Sequence, residues 1–198
     1  AGSAYKKEYI KFNGNANLNE TDAGTYSMNL EARQFSNTSK NFSKVTFVVE
    51  KDGQLEIKQR NVTLTSADDK KVYDGTPLTN DTVTVGGEGF VGKEGATYNV
   101  TGTQTDVGES DNTFTYTLNS NTKLTNYNIT KTEGKLKVTA ATAEVVVKIT
   151  GHTGSYTYDG TGKTVEGYDV TIPAGSAYKK EYIKFNGNAN LNETDAGT

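Results

Sequence analysis

The sequence predicts an all-β protein made of tandem small β-sandwich modules of the immunoglobulin-like type. Short apolar segments rich in Val, Thr and Tyr alternate with polar residues, a pattern typical of strands. Clusters of Gly, Asn and Asp separate these segments, as in turns. The first 25 residues also return letter for letter as the last 25, Ala174 to Thr198, a period of 173 residues that indicates tandem copies. The alternative is a β-grasp-like fold with one short helix around residues 30 to 35.

The first 30 residues contain one strand, one turn and one informative motif. A strand is predicted over Tyr5 to Phe12, and the Asn-Gly cluster at residues 13–17 ends it. Asp22, Gly24 and Tyr26 then resemble the tyrosine corner of immunoglobulin-like sandwiches. In that motif the turn residues lead into a strand, and the Tyr hydroxyl bonds to nearby backbone.

Residues 30–59 predict one short helical segment followed by a hairpin. Leu30 to Gln34 can form a turn or two of helix before the polar run at residues 36–39. Residues 45–50 and 55–57 alternate as strands do, and Asp52-Gly53 between them is a typical hairpin loop.

The central part of the chain predicts a further complete set of strands. Tyr73, Asp74 and Gly75 mark a turn that follows its first strand. The predicted strands cover residues 61–65, 82–85, 97–103, 113–118, 127–131 and 135–139.

Several motifs recur within the period and define a shorter repeat of about 85 residues. The matched pairs, in chain order, are Thr21-Asp22-Ala23-Gly24 with Thr105-Asp106-Val107-Gly108, Asn41-Phe42 with Asn126-Tyr127, Asp52 to Ile57 with Glu133 to Val138, and Tyr73-Asp74-Gly75-Thr76 with Tyr158-Asp159-Gly160-Thr161. In the second copy of the corner motif, Gly108 is not followed by a tyrosine two residues later. We therefore predict three segments: 1–59, the C-terminal part of a module A; 60–143, a complete module B; and 144–198, the N-terminal part of the next module A.

The central segment resembles the MBG/YDG group of bacterial surface repeats. The resemblance is carried by Tyr73-Asp74-Gly75-Thr76, Thr105-Asp106-Val107-Gly108, and Asn126 to Thr130 followed by Gly134 to Val138. It implies an all-β module repeated in large secreted or cell-wall-attached proteins, often adhesins, without enzymatic activity.

Composition excludes some classes of partner and favours one location. A net charge of −3 argues against nucleic-acid binding, which rests on Lys and Arg. No apolar run approaches the roughly 18 residues that a membrane span needs, so we expect no membrane insertion. The absence of cysteine indicates either a cytosolic protein or a bacterial surface protein. Thr-, Asn- and Gly-rich sequence in repeated copies favours the second, an extracellular position on a bacterial cell surface with anchoring to a Gram-positive cell wall.

Few residues indicate chemistry, and the sequence predicts no catalytic, cofactor or metal site. The single histidine, His152, lies between strands and reads as an exposed loop residue. Asp68, Asp69 and Asp74 could supply oxygen ligands to calcium, although EF-hand spacing is absent. A lysine isopeptide bond to Asn41 or Asn126 is a further alternative that the sequence cannot place.

The sequence therefore predicts a structural stalk or spacer whose partners are neighbouring repeats, projecting a distal binding domain. The alternative is a glycan- or mucin-binding adhesion module whose partner is a host glycan or glycoprotein. In that case residues 86–95 and 13–19 would form the contact surface, with Tyr5, Tyr9 and Phe12 as stacking rings.

The two flanking segments are also expected to associate with each other between molecules. Residues 144–198 lack the C-terminal strands of module A and residues 1–59 lack its N-terminal strands. Because open strand edges favour pairing with another chain, we expect head-to-tail strand exchange.

Overall fold

A computed structural model describes residues 4–197, and their regular structure is almost entirely β. The all-β prediction is confirmed, since no α-helix forms in this range. The strands are β1 Ile10–Phe12, β2 Gly24–Ser27, β3 Phe35–Asn37, β4 Gln54–Ile57, β5 Arg60–Ser66, β6 Asp69–Val72, β7 Val83–Gly87, β8 Ala96–Val100, β9 Gly108–Asp111, β10 Phe114–Leu118, β11 Tyr127–Thr132, β12 Lys135–Thr139, β13 Lys148–Gly151, β14 Lys163–Glu166, β15 Tyr168–Thr171 and β16 Asn190–Glu193. The short 3₁₀ helices are Lys7–Tyr9, Ala32–Gln34, Leu124–Asn126 and Lys180–Tyr182.

The chain divides into two compact units, each assembled from several segments. The first contains residues 1–65, 83–99 and 115–132, and the second contains residues 66–82, 100–114 and 133–198. The predicted module B contributes residues to both units, and the predicted boundaries at 59/60 and 143/144 stay a prediction.

The first unit holds two antiparallel pairs and one three-stranded sheet. β1 pairs with β3, β2 pairs with β4, and the sheet has the order β11-β5-β7. Alternation along β5 turns Val62 and Leu64 inward, where both side chains are fully buried. Tyr127, at the start of β11, is also buried. Among the described residues of this unit, these three are the buried hydrophobic side chains, and all three belong to residues 60–143.

The second unit contains a three-stranded sheet, β6-β12-β9, and the pairs β13-β15 and β14-β16. Leu136 and Val138 alternate along β12 and pack with Leu78, and Tyr73 covers this cluster. The buried hydrophobic side chains Phe114, Leu136 and Val138 all belong to residues 60–143. The flanking segments have no equivalent core among the described residues.

Parallel pairing joins the first two strands of residues 60–143 to the last two. Tyr127 pairs with Arg60 in β11 and β5, and Leu136 pairs with Asp69 in β12 and β6, so both parallel pairs share one offset of 67 residues. Gly134, between β11 and β12, is buried, and a Cβ at this position would lie 2.4 Å from the Ser66 carbonyl oxygen. A glycine is required here because the two backbones approach so closely.

The hairpin predicted around Asp52-Gly53 is wrong. Residues 45–49 form no strand, and β4 instead pairs with β2, antiparallel. The Asp52 carboxylate accepts hydrogen bonds from the backbone N–H groups of Asn29 and Leu30, 2.9 Å each. Asp52 therefore ties its turn to the end of β2 rather than closing a hairpin.

Two other predicted elements are shorter than the sequence suggested. The strand predicted over residues 5–12 is a 3₁₀ helix, Lys7–Tyr9, followed by the three residues of β1. The helix predicted near residues 30–35 is the single 3₁₀ turn Ala32–Gln34, with a Glu31/Gln34 capping box. The short helix of the β-grasp-like alternative therefore does not form as an α-helix.

Candidate functional site

The Tyr-Asp-Gly-Thr motif forms the same turn in both of its copies. Asp74 Oδ1 accepts hydrogen bonds from the Thr76 backbone N–H at 2.9 Å and from the Thr76 hydroxyl at 2.7 Å. Asp159 Oδ1 accepts the same two bonds from Thr161, at 3.0 and 2.6 Å. The glycines between them have positive φ, +81° at Gly75 and +75° at Gly160. An aspartate that bonds to backbone two residues later, followed by a glycine with positive φ, fixes a tight turn.

A lysine neutralises the aspartate in each copy, but from opposite sides of the motif. Lys71 precedes Asp74 and its Nζ lies 2.8 Å from Oδ1. Lys163 follows Asp159 and its Nζ lies 2.6 Å from Oδ2. In both copies the lysine and threonine contacts hold the pKa of the aspartate below its usual value.

The first Thr-Asp-x-Gly motif carries the hydrogen bond expected of a tyrosine corner. The Tyr26 hydroxyl donates to the Asp22 carbonyl oxygen at 2.9 Å, and Gly24 opens β2. In the second copy Ser110 stands where Tyr26 would be, and its hydroxyl donates to the Thr103 carbonyl at 3.1 Å. The Gln104 amide donates to the Asp106 carbonyl at 2.7 Å, and Gly108 opens β9. Both turns are therefore tied to backbone, although by different side chains.

A polar cluster connects the Asp22 turn to the 3₁₀ helix Leu124–Asn126 within the first unit. The Asn126 amide oxygen accepts from the Ala23 backbone N–H at 2.7 Å, and its amide nitrogen donates to Asp22 Oδ1 at 2.8 Å. Lys123 Nζ lies 2.6 Å from Asp22 Oδ2. The Gln59 side chain donates to the Thr125 carbonyl at 3.0 Å. These contacts join residues 1–59 to residues 60–143, so we name Asp22, Ala23, Gln59, Lys123 and Asn126 the joint cluster.

The joint cluster brings together a lysine, an asparagine and an aspartate, the groups from which an isopeptide bond could form. Hydrogen bonds from Asn126 and then Lys123 hold the pKa of Asp22 below its usual value, and Asp22 raises the pKa of Lys123. A lysine must be neutral to attack an amide carbon, and here its cationic form is favoured. Both charged side chains are also well exposed to water, at 65% for Lys123 and 39% for Asp22. The geometry is that of a hydrogen-bonded contact between residues 1–59 and residues 60–143.

The other candidate chemical groups have separate partners. His152 Nδ1 lies 2.7 Å from the Glu166 carbonyl oxygen and Nε2 lies 3.3 Å from Asp169, and the side chain is 46% exposed. Asp68 accepts from the Lys135 backbone N–H at 2.6 Å, and Asp69 accepts from the Asn80 amide at 3.0 Å. Across the described range no three His, Asp or Glu side chains come together as metal ligands.

The rings proposed for sugar stacking pack against other rings. Tyr5 contacts Tyr9 with ring centroids 5.6 Å apart and Phe42 at 5.1 Å, both edge to face. Phe12 contacts Phe35 at 4.9 Å. In the loop at residues 86–95, the Phe90 ring lies 5.1 Å from that of Tyr127. These rings contribute first to packing within the first unit.

Strand register recurs between the central and flanking segments, and sequence alone gave no sign of it. Gly24 pairs with Ile57 as Gly108 pairs with Val138, and these residues match in the internal repeat. In the second unit Lys163 pairs with Glu193 as Leu78 pairs with Gln104 in an isolated bridge. Residues 1–59 therefore contain one part of the strand pairing seen in residues 60–143, and residues 144–198 contain another part.

Each flanking segment has an open groove. Residues 10–51 form one of about 490 Å³, lined mainly by apolar side chains such as Leu30, Phe35 and Phe47, together with Glu50 and Lys51. Residues 154–197 form another of about 530 Å³, lined by Tyr156, Tyr158, Val165 and Leu191 among others. In residues 60–143 the matching positions are filled by the chain itself, since Leu30 corresponds to the buried Phe114 and Tyr158 to the packed Tyr73.

Two features of the site have no signal in the sequence. The partners of Asp22 in the joint cluster lie about 100 residues away, and only Asn126 belongs to a motif. Asn112 is fully buried, and its amide nitrogen donates to the carbonyl oxygens of Ala67 at 3.0 Å and Asn80 at 2.8 Å. An isolated asparagine beside a predicted strand looks like a turn residue, so its buried position depends on tertiary structure.

Comparison with models of known families, with curated proteins and with solved structures found no match to this chain. No helix in the described residues is both long and apolar enough to cross a membrane. Interpretation of the site therefore rests on the recurring geometry within the chain.

Proposed function

We propose that the chain is part of a non-enzymatic stalk, an array of β-modules on a bacterial cell surface that carries a distal binding domain. The observation that carries this proposal is the joint cluster. Only Lys58 and Gln59 separate β4 from β5, and Gln59 itself is hydrogen-bonded to Thr125. A connection this short, held by four side-chain hydrogen bonds, favours a stiff joint, and stiff joints give an array a length that grows with copy number.

Two features support immunoglobulin-like sandwiches as the modules. The Tyr26 bond to Asp22 is the defining contact of a tyrosine corner. The parallel pairs β5-β11 and β6-β12 place the first two strands of residues 60–143 beside the last two, while β12 and β9 pair antiparallel. Extracellular location and anchoring to a Gram-positive cell wall belong to the same proposal, and the tandem Thr- and Asn-rich repeat supports them.

Arrays of one, two and four 173-residue periods would test the stalk. Small-angle X-ray scattering should show a maximum dimension that rises linearly with the number of periods. Asp22→Ala together with Asn126→Ala in every period should shorten the arrays, because the joint cluster is lost. The matched control is Asp81→Ala with Asn99→Ala, two exposed residues of the central segment. A dimension that grows as slowly as that of a flexible chain would contradict the proposal.

A further inference from the structure

The turn of the Tyr-Asp-Gly-Thr motif in the central segment contacts the second copy of the repeated 25-residue segment. The Tyr73 hydroxyl oxygen lies 3.5 Å from the Tyr182 hydroxyl oxygen. Gly75 faces Ala177, because a Cβ at position 75 would lie 3.3 Å from the Ala177 Cβ. All four residues lie in the second unit. The contact therefore joins the central segment to the segment that follows it.

The repeated segment presents its side of the contact in a conformation that local bonds determine. Lys180–Tyr182 is a 3₁₀ helix, and the identical residues of the first copy form the 3₁₀ helix Lys7–Tyr9. The Tyr182 ring packs edge to face on Tyr178 with the ring centroids 5.6 Å apart, and the same pair in the first copy has the same spacing. Because both copies share this geometry, the surface is formed before it docks and little ordering is required on contact.

This contact has the same plan as the joint cluster. In the joint cluster, the turn at Asp22 meets the 3₁₀ helix Leu124–Asn126. In the second contact, the turn at Tyr73 meets the 3₁₀ helix Lys180–Tyr182. Each contact places a turn motif of the internal repeat against a 3₁₀ helix of the segment that comes next in the chain. The shared plan indicates that both contacts are joints of the same kind.

The second contact is held less firmly than the joint cluster. Only Lys58 and Gln59 connect the strands on either side of the joint cluster, whereas residues 140–147 connect β12 to β13, and residues 140–146 are all exposed. The joint cluster contains four side-chain hydrogen bonds, one of them between oppositely charged groups. The second contact has a hydroxyl pair at a long distance for a hydrogen bond, and Tyr182 keeps 48% of its surface exposed. The free energy that holds the second contact closed should therefore be the smaller one.

We propose that the turn at Tyr73 is a docking surface for residues 177–182, that the two form the second joint of each 173-residue period, and that the stalk bends more readily there than at the joint cluster. The proposal rests on the proposed stalk, and it adds a second contact surface, its partner and the place of bending. Small residues are required on both sides of this joint. Gly75 has a φ of +81°, which favours glycine, and its missing side chain leaves room for Ala177.

Oxidative cross-linking of tyrosines tests the contact in the 198-residue chain. A light-activated ruthenium oxidant takes one electron and one proton from each of two neighbouring rings, which then join through a carbon–carbon bond. We expect mass spectrometry of the digested protein to find Tyr73 linked to Tyr182. Ala177→Phe should abolish this link, because a large side chain does not fit against Gly75. Ala174→Phe, at an exposed alanine of the same segment, is the matched control and should keep it.

Distances between spin labels test which joint bends. The chain has no cysteine, so two cysteines can be placed in the middle period of a three-period array and labelled there alone. Lys11→Cys with Thr130→Cys spans the joint cluster, and Lys137→Cys with Thr171→Cys spans the second joint; all four positions are exposed and lie in strands. Pulsed electron paramagnetic resonance should give the broader distance distribution for the second pair. The substitution that blocks docking should broaden it further.

The link between Tyr178 and Tyr182 serves as the internal standard of the cross-linking reaction, since these rings are neighbours in every variant. A parent chain that forms this link but not the one between Tyr73 and Tyr182 would overturn the proposal. So would an equal yield of the second link in Ala177→Phe, or a distance distribution across the second joint as narrow as that across the joint cluster. The growth of array length with the number of periods is measured separately, so the stalk proposal can fail or hold independently of these results.

Discussion

Asp74 and Asp159 show how one turn can keep its geometry while its neighbours change. Both carboxylates bond to the threonine two residues later, and both face a lysine. Lys71 of the first copy corresponds to Tyr156 in the second, and Lys163 of the second copy corresponds to Leu78 in the first. The lysine has thus changed places with an uncharged residue, and the charge beside the carboxylate is retained.

Two substitutions of Asp74 should separate the contribution to stability of its hydrogen bond with Thr76 from that of its ion pair with Lys71. Asp74→Asn keeps an oxygen for the Thr76 N–H and loses the attraction to Lys71, whereas Asp74→Ala loses both. We expect Asp74→Ala to lower the midpoint of thermal unfolding more than Asp74→Asn at pH 7, with Asp81→Ala as an unaffected control. Differential scanning calorimetry measures all four proteins.

The effect of Asp74 should also depend on pH. Its folded-state pKa is lowered, so its contribution to stability is present above the unfolded-state pKa of about 3.9 and is lost as the pH falls through the folded-state value. The difference in the midpoint of thermal unfolding between the parent protein and Asp74→Ala should therefore stay constant from pH 7 to 5 and shrink in stronger acid. A difference that grows in acid would contradict this assignment.

His152 should titrate above its usual pKa. The Glu166 carbonyl oxygen, and then Asp169, favour the protonated imidazole and raise its pKa above 6.5. The stabilisation of the fold by the protonated His152 is fully present below pH 6.5 and is lost as the pH rises through the folded-state pKa of His152. NMR titration of the one histidine should show the raised value, and Asp169→Asn should lower it while Asp159→Asn should not. An unchanged value in Asp169→Asn would exclude the ion pair.

At the scale of elements, the parallel pairing of β5 with β11 and β6 with β12 depends on close approach at Gly134. The Ser66 hydroxyl accepts a hydrogen bond from the Gly134 N–H at 3.0 Å and donates to the Asn112 carbonyl at 2.6 Å. Both partners are buried backbone groups. The Ser66 hydroxyl completes their hydrogen bonding at the point where the pairing between strands is interrupted. This buried cluster fixes the offset between the strands.

Gly134→Ala should destabilise the central segment. The added Cβ would lie 2.4 Å from the Ser66 oxygen and 2.6 Å from the Ala67 carbonyl, both backbone atoms that cannot move aside alone. We expect a loss of roughly 1–3 kcal/mol in the free energy of unfolding, the usual cost of overpacking. Urea unfolding followed by circular dichroism measures it. Gly151→Ala is the control, because a Cβ there meets nothing within 4 Å; equal losses for both variants would show that the close approach is unimportant.

At the scale of the whole molecule, burial is concentrated in the central segment. Every fully buried hydrophobic side chain of the described chain lies between residues 62 and 138. The flanking segments expose Val48, Ile149, Phe185 and Leu191 by half or more of their surface. Stability should be distributed in the same uneven way, because local opening is easiest where few apolar contacts form.

Limited proteolysis should reveal this distribution. In dilute solution we expect early cleavage within residues 1–59 and 144–198 and a resistant fragment close to residues 60–143, identified by mass spectrometry. A first cut inside residues 60–143 would contradict the assignment of a complete central module.

Much of the architecture could be predicted from short-range patterns. The turns at residues 73–76 and 158–161, the alternation of β5 and β12, and the match of Asp22 with Asp106 depend on neighbouring residues, and periodicity reveals them. The partners of strands could not be predicted in this way. The hairpin expected around Asp52-Gly53 does not form, because residues 45–49 form no strand and β4 pairs with β2. An Asp-Gly turn is a local signal and does not determine which distant strand β4 pairs with.

The repeated segment separates what the sequence determined from what tertiary structure decided. Its two copies form the same 3₁₀ helix, Lys7–Tyr9 and Lys180–Tyr182, because that turn depends on local bonds alone. Beyond it, residues 10–12 form a strand in the first copy, and residues 190–193 form a different one in the second. A strand needs hydrogen-bond partners from another part of the chain, and β3 is available to one copy while β14 is available to the other. The sequence by itself therefore determined the repeat, the turns and the β class, and only the partners within reach decided which residues became strands.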